Sequence, residues 1–180
     1  MVRVSQIAGL FVFTLLASLS GGPAPGYAGQ KPDCAKEDDA GNRTRCERFA
    51  LATELFQECM TAGRNLSEIK PSAYEGRLDL VPGNEGELRF QNQKLGIAMR
   101  IQKNECTVFA LSEKPADLIK LFDPIEEDIR QQYPKAEIRK RQNGTNWLAF
   151  EPSANDLRYV TAGKQKISEQ DFALLLYQFD

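Results

Sequence analysis

The sequence predicts an α+β domain in which helices pack on one face of an antiparallel sheet. Three observations support this fold class. Residues 44–62 have helical apolar spacing, residues 78–110 have an apolar spacing of two, and residues 116–133 return to helical spacing. The strand-like runs are separated by short turn-like segments, which favours antiparallel neighbours and a single layer of helices. No internal repeat is evident in the residues.

The N-terminal segment has the three-part pattern of a secretory signal peptide. A single cation, Arg3, precedes an apolar run at 7–19, and small residues follow up to Ala28. The run has 13 residues, whereas a bilayer span needs about 20. We therefore expect a signal peptide at 1–28 and no stable membrane anchor after its removal. A flexible arm at 29–43 and a single domain at 44–180 then follow.

The first predicted helix begins at Thr44, because Thr44 and Glu47 have the spacing of a capping box. It ends at Gly63, a residue type that commonly terminates helices. One side of this helix is apolar and includes Cys59, while Cys46 lies at the edge of that side.

Four strands in a meander are predicted next. Alternating apolar residues indicate half-buried strands, and PGNEGE, QNQK and QKNE supply the turns between them. The alternating residues are Leu78 and Leu80, then Leu88 and Phe90, then Ile97, Met99 and Ile101, and finally Cys106, Val108 and Ala110.

The second half predicts a helix kinked near Pro124, then a hairpin and one more strand. Asn143-Gly144 lies between two strand-like runs, which is a strong hairpin signal. The run LRYVTAG supplies the additional strand, for a sheet of about six to seven strands. The tail at 168–180 fits a helix capped by Ser168 and also a strand, and we favour the helix.

Four cysteines in the predicted exported chain indicate a disulfide framework. Cys46 and Cys59 lie on one helix about 20 Å apart, too far for a bond between them. Two pairings remain. We favour Cys34 with Cys46 and Cys59 with Cys106, because Cys59 faces the core and Cys106 begins a buried strand; the alternative joins Cys34 to Cys59 and Cys46 to Cys106.

The chain contains no histidine, which excludes Ser-His-Asp and Cys-His catalysis and the usual mixed zinc sites. No motif indicates a cofactor or a metal. Removal of Arg3 with the signal lowers 23 basic residues to 22, against 25 acidic residues. This balance does not favour binding to nucleic acid.

Two patterns resemble catalytic arrangements, but we interpret them as ordinary residues of a loop and of an exposed helix face. Ser67 and Lys70 have the S-x-x-K spacing of penicillin-recognising enzymes, but the other elements of such enzymes are missing. Glu126, Glu127 and Asp128 are consecutive, so on a helix their side chains spread around the axis instead of facing each other across a cleft.

Trp147 and Tyr159 lie on predicted neighbouring strands and form a candidate exposed aromatic pair for binding a partner or an apolar ligand. The alternative, which we favour, is that a helix covers that face of the sheet. The sequence therefore predicts an exported, non-catalytic binding or accessory protein, periplasmic or alternatively extracellular. Its partner would be a protein or a small apolar ligand. An inhibitor or immunity protein against a secreted hydrolase, and a histidine-independent hydrolase, are the alternatives.

Overall fold

The computed structural model describes residues 33–112, 122–140 and 146–180. A short 3-10 helix at Cys34–Lys36 precedes α1, and two others, Gly63–Glu68 and Pro71–Tyr74, follow it. The main elements in chain order are α1 (Ala40–Ala62), β1 (Asp79–Val81), β2 (Leu88–Asn92), β3 (Ile97–Gln102), β4 (Glu105–Leu111), α2 (Phe122–Gln132), β5 (Glu137–Lys140), β6 (Asn146–Phe150), β7 (Arg158–Ile167) and β8 (Gln170–Phe179).

The eight strands form one antiparallel sheet in the order β1-β2-β3-β4-β8-β7-β6-β5. The α+β class and the first four-strand meander are confirmed, but the predicted count of six to seven strands is too low. Within the described residues, a helix followed by a four-strand meander occurs twice, and the last strand of each meander, β4 and β8, pair at the centre. No repeated residue pattern predicts this order, and the described helices that precede the two meanders differ in length, with 23 and 11 residues.

Both helices pack on the same face of the sheet, as predicted. α1 lies over β3, β4 and β8. The core between the helices and the sheet includes five buried residues of α1 and three of α2. They are Ala52, Leu55, Phe56, Cys59 and Met60 from α1, and Phe122, Ile125 and Ile129 from α2.

The start of α1 differs from the prediction. The helix begins at Ala40, and the Asp39 carboxylate accepts a hydrogen bond of 2.9 Å from the Asn42 backbone N–H. The Thr44 hydroxyl donates to the Ala40 carbonyl instead of capping the helix. Aspartate is as good a cap as threonine, so the earlier signal dominates. The predicted end is confirmed, because Gly63 follows the helix with φ of 60°.

The C-terminal helix favoured by the sequence is wrong, because residues 170–179 form strand β8. Along β8, Ala173, Leu175, Tyr177 and Phe179 are buried in the helix-side core. The intervening leucines are partly exposed on the opposite face. Apolar residues occupy nearly every position from 172 to 177, so this run fits a strand as well as it fits a helix.

Both disulfides have the pairing favoured from helix geometry. Cys34 is bonded to Cys46 and Cys59 to Cys106. The first bridge is partly exposed, and the second is fully buried between α1 and β4. Disulfides are typical of proteins from an oxidising, non-cytoplasmic compartment.

Several predictions fall outside the described residues. These are the signal peptide at 1–28, the start of the arm, the chain before Phe122 and the Asn143-Gly144 turn. The strands on either side of that turn do pair antiparallel, with Glu137 opposite Ala149. Neither described helix is both long enough and apolar enough to cross a membrane.

Candidate functional site

The face of the sheet opposite α1 and α2, here called the helix-free face, carries the alternate residues of each strand. Phe90, Met99 and Val108 point toward the helices in the core, so their neighbours along each strand point the other way. One row across the helix-free face pairs Arg89 with Arg100 and then Thr107. The adjacent row contains Gln91, Ala98, Phe109, Leu174 and Gly163.

The predicted exposed aromatic pair lies on this face but is not exposed. Trp147 and Tyr159 are 6% and 5% exposed. Their rings make an edge-to-face contact with centroids 6.4 Å apart, and the Tyr159 hydroxyl donates to the Asp180 carboxylate at 2.9 Å. The pair forms a small second core with Ala149. The prediction of an exposed surface at these positions is therefore wrong.

A groove of about 470 Å³ crosses the centre of the helix-free face. Residues from β1, β2, β3, β4, β7 and β8 line it. Its apolar residues on the helix-free face are Val81, Ala98, Phe109, Ile167, Leu174 and Leu176, and its polar residues are Arg89, Gln91, Arg100, Thr107 and Gln165. Phe90 and Met99, which belong to the helix-side core, also border it. Leu176 also packs against the aromatic cluster, which supports one side of the groove.

Two arginines on neighbouring strands lie directly opposite each other at this groove. Arg89 on β2 pairs in register with Arg100 on β3. Arg89 binds Glu87 at 2.6 Å, and Arg100 binds Glu105 at 2.7 Å. The Arg100 guanidinium also lies 5.9 Å from the centre of the Phe109 ring. A like-charged pair directly opposite is unfavourable in a sheet, so these carboxylates offset its cost.

The glutamate side chains are less exposed than the arginine side chains that they bind. The Glu87 side chain is 2% exposed and that of Arg89 is 43% exposed. The corresponding values are 20% for Glu105 and 34% for Arg100. Among the described residues that line the groove, none is acidic. The charged residues that line the groove are therefore both arginines.

The Arg89–Glu87 pair holds both side chains in their charged forms. The hydrogen bond from Arg89 is the main cause that lowers the pKa of Glu87. The same hydrogen bond from the arginine to Glu87 raises the pKa of Arg89. Both groups are therefore ionised across the physiological pH range.

A separate ionic cluster lies at the C-terminal end of α1. Asp156 accepts hydrogen bonds from Arg158, the shortest of 2.6 Å, and from Arg64 at 2.8 Å. Burial alone would raise the pKa of Asp156, but hydrogen bonds from the two arginines outweigh burial and lower it. The Arg158 guanidinium also lies against Gly63. This cluster joins the end of α1 to β7 and belongs to the packing of the fold.

The structure does not assemble a catalytic centre from the two patterns noted in the sequence. Ser67 and Lys70 are both exposed, in and just after a 3-10 helix. Glu126 binds Arg130 one helical turn away at 2.8 Å, and Glu127 interacts with Gln131. These acids are thus surface groups of α2, as the consecutive spacing predicted.

The groove was not found by sequence reasoning. Its residues come from six strands that are distant along the chain. The signal that could have found it is the apolar character of Phe109, Leu174 and Leu176, because a sheet covered on one face only normally has polar residues at these alternate positions. No cluster of residues that could hold a metal ion occurs in residues 33–112, 122–140 and 146–180. Comparisons with protein-family models, curated proteins and solved structures found no match for the chain.

Proposed function

We propose that the protein is an exported, periplasmic binding protein without catalytic activity, and that it engages its ligand or protein partner through the groove on the helix-free face. The observation that carries this proposal is the groove itself. Its floor has partly exposed apolar side chains, and both described helices pack on the other face. Apolar concavities with a few polar groups are the usual form of ligand sites.

The rigidity of the fold supports a binding role. The buried Cys59–Cys106 bridge fixes α1 directly to β4, the strand that carries Phe109. Because β4 contributes to the floor of the groove, the bridge restrains the surface that the ligand would contact. A surface that is already ordered loses less conformational entropy on binding.

A capture experiment with matched variants tests the proposal. The oxidised chain from residue 29 onward is purified from the periplasm, and species that copurify are detected by native mass spectrometry and by affinity capture. Leu174→Asp places a charge in the groove, while Ile138→Asp makes the same kind of change at an exposed apolar residue of β5. We expect Leu174→Asp to lose the copurified species and Ile138→Asp to keep it. Equal retention by both variants contradicts the proposal.

A further inference from the structure

We propose that the groove binds a single-chain amphiphile with a carboxylate head group, a ligand of the fatty-acid class. The apolar chain lies on Phe109, Leu174 and Leu176, and the carboxylate binds at Arg100. This inference rests on the proposed function and names the ligand class for the same groove.

The size and borders of the apolar floor favour a small ligand over a protein surface. The groove volume of about 470 Å³ lies within the roughly 300–1,000 Å³ common for small-molecule sites. The ion pairs of Arg89 with Glu87, just before β2, and of Arg100 on β3 with Glu105 on β4 limit the apolar area there. A stable protein interface would bury about 800 Å² on each partner, well beyond this confined floor.

The positive charge at the groove selects the head group. Arg89 and Arg100 are adjacent across two paired strands, and their side chains are more exposed than those of the glutamates that bind them. In the Arg100 guanidinium, Nη2 donates to Glu105 and Nε is buried, so a ligand carboxylate has to bind at the Nη1–Nη2 edge. Guanidinium groups recognise carboxylates through paired hydrogen bonds, so an incoming carboxylate complements this pair.

The position of Arg100 joins the two parts of the site. Its guanidinium lies beside the Phe109 ring, which is itself part of the apolar floor. A carboxylate held by Arg100 therefore places the first carbons of its chain next to Phe109. Leu174 is directly opposite Phe109 in the register of β4 and β8, so the chain continues onto β8 without leaving the apolar surface.

Titration calorimetry with sodium oleate below its micellar concentration tests this inference on the oxidised chain from residue 29 onward. Monoolein, with the same chain and no charge, and sodium acetate, with the head group alone, are the comparison ligands. We expect oleate to bind, acetate not to bind, and Arg100→Gln to weaken oleate binding roughly tenfold or more, the effect of losing a charged hydrogen bond. Monoolein should bind more weakly than oleate, and the same substitution should weaken oleate binding more than monoolein binding.

Three further variants control for folding and position. Leu174→Asp should abolish binding of both oleyl ligands. Gly163→Val replaces this variant if Leu174→Asp fails to fold. It adds bulk beside Leu174, where a Cβ atom makes only ordinary contact at 3.8 Å, so it should keep the fold and weaken oleate binding. Arg130→Gln, on α2, should bind oleate like the wild type.

The outcomes separate this inference from the proposed function. Failure of the wild type to bind oleate overturns the ligand class, and so does an Arg100→Gln variant that binds oleate normally. If oleate fails while Leu174→Asp still loses a copurified species, the groove remains the binding site and only its ligand class is wrong. If oleate fails and Leu174→Asp retains that species, both proposals are overturned.

Discussion

Removal of the buried disulfide should destabilise the protein more than removal of the exposed one. The perturbation is the double substitution Cys59→Ala with Cys106→Ala, compared with Cys34→Ala and Cys46→Ala. The two bridges join residues 47 and 12 positions apart. Constraint of the unfolded chain then contributes about 4 kcal/mol for the longer loop and about 3 kcal/mol for the shorter loop.

Burial adds to the difference. Cys59 and Cys106 are both 0% exposed, so loss of two sulfur atoms leaves a cavity that costs about 1–2 kcal/mol more. The partly exposed bridge at Cys34 and Cys46 leaves no enclosed cavity. We therefore expect a loss in the free energy of unfolding of about 5–6 kcal/mol for the buried bridge and about 3 kcal/mol for the exposed bridge.

Urea unfolding followed by tryptophan fluorescence provides the assay. The chain has one tryptophan, Trp147, and it is buried, so its emission reports the loss of packing around the sheet. A domain with a total stability of about 5–15 kcal/mol can be largely unfolded by the larger loss, so all variants are also measured in sucrose, which favours the compact state. Equal midpoints for the two double variants, or a lower midpoint for the exposed pair, would refute the reasoning.

Three other variants test separate parts of the fold. Gly63→Ala should cost about 1–2 kcal/mol more than Gly76→Ala in urea unfolding; both residues have positive φ, but only at Gly63 does an added Cβ meet a guanidinium at 3.2 Å, and equal losses would contradict this. Asp156→Asn should lower stability by about 1–3 kcal/mol at pH 7 and less at pH 3. Because the pKa of this carboxyl is lower in the folded chain than in the unfolded chain, its ionised form stabilises the fold at pH values above the unfolded pKa of about 4. That contribution disappears as the pH falls through the folded pKa. A difference in stability from the wild type that is independent of pH would argue against this reasoning. Ser168→Asn with Glu169→Gly should raise stability by about 0.5–1 kcal/mol in thermal unfolding, because both turn positions have positive φ; a loss would show that residues 168–179 do not form the hairpin.

The sequence predicted those elements whose signals are local. The period-two runs at 78–110 matched β1 to β4, and Gly63 matched the end of α1. The disulfide pairing followed from helix geometry, because distance excluded a bond between Cys46 and Cys59. In each case, a few neighbouring residues determine the outcome through spacing or conformational preference.

The predictions that failed depended on the position of a segment within the whole sheet. The sequence ALLLYQF has apolar residues at both helical and strand spacing, and only its place between β4 and β7 makes it a strand. Ser168 and Glu169 form the turn between β7 and β8. Both have positive φ, but neither is asparagine or glycine, so the sequence lacks the usual signal of a hairpin turn. Likewise, Trp147 is buried by its packing with Tyr159 and Ala149, which alternation along one strand does not reveal.

The strand order places the last strands of the two meanders, β4 and β8, side by side, and this affects the sequence in which the sheet can form. All four cysteines lie between residues 34 and 106, within the first helix and meander, and every strand contact of that meander is between sequence neighbours. Such local contacts form quickly. In contrast, the sheet joins its two halves only through β8, whose last residue is Phe179. In the export that we propose, which proceeds from the N-terminus, the first half can therefore oxidise and fold before the second half arrives, and pairing of β8 with β4 then completes the sheet.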